Sequence, residues 1–163
     1  MDPARVAAVA ARDDIAAVRA LIGRTPTARF TVVLRDAAGG PVVIRNEPFL
    51  ADGTPMPTLY WLVGEDAVRA VSRLEAAGGV REASEAVDPV EVAEAHARYT
   101  AERDAAITPG HPGPRPSGGV GGTRRGVKCL HAHYAWFLAG GDDPVGRWVA
   151  DRVTTDAPRL CGD

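Results

Sequence analysis

ARFTVVLRDAAGGPVVIRN, residues 28–46, decides the fold. Phe30, Val32 and Leu34 alternate with Thr31, Val33 and Arg35, the two-residue period of a strand with one buried face. DAAGG (36–40) is a five-residue, glycine-containing connection, and PVVIRN resumes an apolar run beyond it, so a β-hairpin is expected. Downstream, ADGTPMP (51–57) leads into TLYWLV (58–63), where Pro55 and Pro57 hold the approach extended. TLYWLV is apolar without alternation and reads as a third strand covered on both faces.

Helices surround these strands. DDIAAVRALIG (13–23) puts Ile15, Val18, Leu21 and Ile22 on one side, with Asp13 or Asp14 as a cap and Gly23 as a stop. GEDAVRAVSRLEAAGG (64–79) carries Val68, Val71 and Leu74 together and ends in glycine. DPVEVAEAHARYTAERDAAI (88–107) has Asp88 as cap, Pro89 at the first helical position and Glu91 in capping-box register. Its buried face is expected at Val92, Ala95, Tyr99 and Ala106. His96 is expected to be partly exposed, and Glu102, Arg103 and Asp104 to form a charged face. Residues 108–123 lack periodicity and read as a flexible Pro/Gly-rich loop. Two shorter helices are expected over 127–139 and 144–153. The order implies a single α+β domain over 1–163: a small antiparallel sheet, the hairpin plus a third strand, packed with about five helices.

Composition narrows the function classes. At 163 residues and a net charge of −2 there is no global basic field, so nucleic acid is not expected as a partner. No stretch approaches the roughly 20 apolar residues of a membrane span, no leader is evident and two cysteines make no disulfide framework, so a cytoplasmic protein is expected. Nineteen basic residues include one lysine, Lys128, and there is one asparagine, Asn46. A lysine that survives such an arginine bias is a candidate for a role that needs lysine.

Lys128 lies in RRGVKCLHAHYAWFLAGG (124–141), with one of the two cysteines and two of the four histidines. On a helix from residue 127, Val127, Leu130, Tyr134 and Leu138 share one stripe, while Cys129, His133 and Trp136 gather on another side. One account is a helix buried on two sides. A second is an anion site: SGGVGGTRRG (117–126) runs into a helix start beside Arg124, Arg125 and Lys128, with His131 on the flank. GGTRRGVKC is not a phosphate-binding nucleotide loop, since Lys128 is two residues after Gly126 and Cys129 replaces the hydroxyl residue. A third is a hydrolase-like enzyme with Cys129 as nucleophile and His133, at i+4, as its base. His131 would then point about 160° away from Cys129, and a zinc site would need His111 or Cys161 to complete it. Neither a metal nor a cofactor is therefore expected.

Three segments in order, DGTPMPTLYWL (52–62), SRLEAAG (72–78) and GVKCLHAHYAWFLA (126–139), resemble a bacterial family known as domain of unknown function 501. The resemblance covers residues 20 to 150 approximately and implies no activity. Members of that family tend to be encoded beside a septum-formation initiator and an exopolyphosphatase, which implies a setting in cell division or polyphosphate metabolism. The leading expectation is a small binding or regulatory protein that recognises an anionic ligand or acidic protein partner through residues 124–133.

Overall fold

The computed structural model describes residues 12–153; Cys161 lies outside the described residues. β1 (Ala28–Arg35) and β2 (Pro41–Leu50) form the hairpin, and β3 (Tyr60–Leu62) adds to β2, giving a three-stranded antiparallel sheet in the order β1-β2-β3. Asp36 closes the hairpin turn by accepting from the Ala38 and Gly40 N–H groups, and Gly39 takes the positive φ of 87° the turn requires. The described residues form six α-helices: α1 (Arg12–Ile22), α2 (Glu65–Ala76), α3 (Gly79–Ala86), α4 (Pro89–Ala105), α5 (Leu130–Leu138) and α6 (Pro144–Ala150). α3 was not anticipated. Gly78 ends α2 in a left-handed conformation (φ 98°), and the chain restarts a helix at once instead of entering a loop.

Val43 and Ile44 of β2 belong to different parts of the core, with Val42 in the same part as Val43, so the sheet is covered on both sides. Ile44 packs with Phe30, Val63 and Val18 of α1. Val43 packs with Leu59, Tyr60, Tyr99 of α4, and Ala132, Ala135 and Trp136 of α5. A third cluster joins Leu130 and Tyr134 of α5 to Val71, Ala83, Val92, Val145, Trp148 and Val149. α5 thus contributes to two clusters and is buried on two sides, as the first account of its sequence requires. Burial of such side chains stabilises a fold by roughly 1.5–3 kcal/mol each.

Two expected faces are corrected. In α1, Val18 and Ile22 face the core, but Ile15 and Leu21 are exposed; Asp14 forms a two-pronged pair with Arg35 of β1. In α4, Asp88 caps through the Val90 N–H and Pro89 opens the helix, as read. The buried stripe, however, is Val92, Ala95, His96, Tyr99 and Arg103, while Ala106 is exposed. Arg103 is 1% exposed.

Candidate functional site

The geometry of the 124–133 region is set by where α5 begins. Cys129 is extended (φ −146°, ψ 118°) and the helix starts at Leu130, so the rotation between residues 129, 131 and 133 is not helical. The start has no local capping side chain. Instead Glu75, at the end of α2, accepts the Leu130 N–H through Oε1 at 2.7 Å. The same oxygen lies 3.2 Å from His131 Nδ1, and Ser72, one turn earlier on α2, places Oγ 3.1 Å from His131 Nε2. Cys129 completes the group: ligand atoms of Glu75, Cys129 and His131 all lie within 4.8 Å of one another. All three residues are partly buried. Hydrogen bonding to Cys129, together with the nearby Glu75 carboxylate, raises the His131 pKa against the opposing effect of burial.

This corrects the expected pairing. Cys129 has His131 as its imidazole neighbour, because an extended residue 129 turns its side chain away from the i+4 direction. His133 faces the interior at 0% exposure, with Nδ1 2.6 Å from Asp143 Oδ2. Asp143, also fully buried, accepts the Val145 and Gly146 N–H groups and so caps α6. His133 Nε2 has no hydrogen-bond partner among the described residues, and its ring lies edge-on to that of His96, 5.8 Å between centroids. A buried imidazole tied to a buried carboxylate thus joins α5 to α6.

The proposed cations are elsewhere. Arg124, Arg125 and Lys128 are exposed on the irregular segment before α5, not in its first turn, and none makes a side-chain ion pair among the described residues. The helix-terminal N–H of Leu130 already has a carboxylate partner in Glu75, so attraction for an outside anion must come from these side chains.

Two buried residues of α4 anchor the glycine-rich segment that carries them. His96 Nδ1 accepts the Val120 N–H at 3.0 Å, which fixes the ring to donate from Nε2 to the Gly126 carbonyl at 2.8 Å. Gly119 packs so closely on this ring that a Cβ would sit 2.4 Å from Nδ1. The Arg103 guanidinium donates to the Gly118 and Pro116 carbonyls at 2.6 and 3.2 Å, with longer contacts to Pro57 and Ser117. A short 3-10 turn, Val120–Gly122, lies between these anchors.

Sequence reading missed Glu75, Ser72 and Asp143. A signal existed for the first two: SRLEAAG and GVKCLHAH, two of the segments that carried the family resemblance, meet here in space. Residues 32–151 match the profile of a family described as "Protein of unknown function (DUF501)". No curated protein and no solved structure matches the chain.

Proposed function

The chain belongs to this family of unknown function, and we propose that it is a small bacterial, cytoplasmic binding or regulatory protein that recognises an anionic ligand through the Arg124–Lys128 segment. One observation carries the reading: three exposed cations within five residues, unpaired among the described residues, on a segment that His96 and Arg103 tie to the core. Anchoring lowers the ordering entropy that binding would otherwise cost. His131 lies beside this segment, but its imidazole faces the Glu75 carboxylate at 3.2 Å, so the three exposed cations supply the positive charge. An inorganic phosphate chain or an acidic protein surface suits such a patch, in keeping with a polyphosphate- or division-linked setting; no helix of the described residues is long and apolar enough to cross a membrane.

The alternative of a Cys129–His133 hydrolase loses support because the two side chains belong to different environments. The test is a melting series with phosphate, pyrophosphate and tripolyphosphate against chloride at matched ionic strength. Ligand at about 100 times Kd stabilises by roughly 2.7 kcal/mol, so a raised midpoint is expected for the wild type. Lys128→Arg should reduce it, because a planar guanidinium replaces a compact ammonium, and Lys128→Ala should reduce it further. An unchanged wild-type midpoint with all three anions refutes the phosphate reading.

A further inference from the structure

Glu75, Cys129 and His131 bring a carboxylate, a thiol and an imidazole from two segments to one place, with all ligand atoms within 4.8 Å of one another. A tetrahedral zinc-class ion holds its donors at about 2.0–2.3 Å, which puts neighbouring donors roughly 3.3–3.7 Å apart. Small rotations of side chains that are only partly buried close that difference. The surrounding contacts are those a metal site needs. A ligating imidazole characteristically sends its other ring N–H to an outer partner; here Nδ1 faces Glu75 and Nε2 faces Ser72 Oγ at 3.1 Å. The Leu130 N–H fixes Glu75 through Oε1, which leaves the second carboxylate oxygen for an ion.

We propose that Glu75, Cys129 and His131 bind one divalent transition-metal ion of the zinc class, with Ser72 orienting the imidazole. The donor set selects the ion: thiolate and imidazole favour zinc and its late first-row neighbours over magnesium or calcium. Three protein ligands leave a fourth position for an exogenous ligand, and Lys128 is the residue next to Cys129. The inference stands independently of the anion reading, since metal uptake is measured with no phosphate present.

The experiment is titration of chelator-treated, reduced protein with cobalt(II), followed by displacement with zinc(II). One cobalt per chain is expected, with a thiolate-to-cobalt charge-transfer band and the intense visible bands of four-coordinate cobalt. Cys129→Ser should abolish the charge-transfer band and Cys161→Ser should leave it. Glu75→Gln, which keeps an oxygen for the Leu130 N–H, and His131→Gln should each weaken zinc binding by more than Ser72→Ala, for which a loss of roughly 10- to 100-fold is expected. Circular-dichroism melts verify that each variant is folded. The proposal is overturned by absence of the charge-transfer band in folded wild type, by a band that follows Cys161, or by affinity indifferent to Glu75→Gln and His131→Gln.

Discussion

Arg103→Met replaces the most deeply buried arginine among the described residues with an apolar side chain of similar length. The guanidinium makes three bonds of good length, to the Gly118 and Pro116 carbonyls and from Nε to the Asp104 carboxylate at 3.1 Å; contacts at 3.4 and 3.5 Å to Pro57 and Ser117 are too long to count. Gly118 keeps the Thr100 hydroxyl as a donor at 3.2 Å, so the Pro116 carbonyl is the one left unpaired, at about 1–3 kcal/mol; loss of the Asp104 pair adds to this, and relief from burying a charge offsets part of the sum. A net loss of about 2 kcal/mol follows, a large share of the 5–15 kcal/mol typical of a domain. At roughly 2–4 °C per kcal/mol for a chain of this size, the melting midpoint should fall by about 6 °C. Arg103→Lys keeps the charge but cannot span both carbonyls, so about half that loss is expected. Urea denaturation measures the loss, and brief digestion with a protease of broad specificity reports whether cleavage appears within residues 108–123 under native conditions. A midpoint within 1 kcal/mol of wild type, with no new cleavage, would refute the reasoning that Arg103 fastens this segment.

Asp143→Ala removes the α6 cap and the partner of His133; about 0.5–2 kcal/mol for the cap plus 1–3 kcal/mol for the stranded imidazole should appear in urea denaturation, and Asp143→Asn should cost less. Gly146→Ala would place a Cβ 2.3 Å from Phe137 Cβ and 2.7 Å from the His133 carbonyl, so a loss of about 1–3 kcal/mol from overpacking is expected; a neutral melt would mean α5 and α6 are packed less closely. All three tyrosines resist ionisation. Burial is the main cause throughout: it pushes Tyr99 up to about 12, raises Tyr60 further with help from the Glu102 carboxylate, and raises Tyr134. Protonated phenols are thus favoured in the fold, so stability is complete below the unfolded value of 10 and declines as pH rises through 12. Tyrosinate absorbance should appear together with alkaline unfolding; ionisation near pH 10 in a still-folded protein would contradict it.

The architecture was legible because its signals are local. Alternation in 28–35, a glycine turn and an Asp88-Pro89 start each act within a few residues, and each element forms where expected. The segment that carries the candidate residues was legible, but not how they group. Lys128, Cys129, His131 and His133 are neighbours in sequence, yet their geometry depends on a helix start fixed by Glu75, 55 residues away. No periodicity argument reaches that far. His96 and Arg103 were visible in a different sense: 92, 96, 99 and 103 keep helical phase, but polarity argued for solvent. Burial became affordable only because the backbone of 116–126 supplies the hydrogen-bond partners, and a partner made of backbone carries no residue signature.

The most direct test of anion recognition is an amide chemical-shift map of metal-free protein titrated with tripolyphosphate at constant ionic strength. The account predicts saturable shifts centred on Thr123–His131, lost in a folded Arg124→Ala/Arg125→Ala/Lys128→Ala variant. Shifts scattered over the exposed arginines of the whole surface, or a map unchanged by that variant, would contradict it.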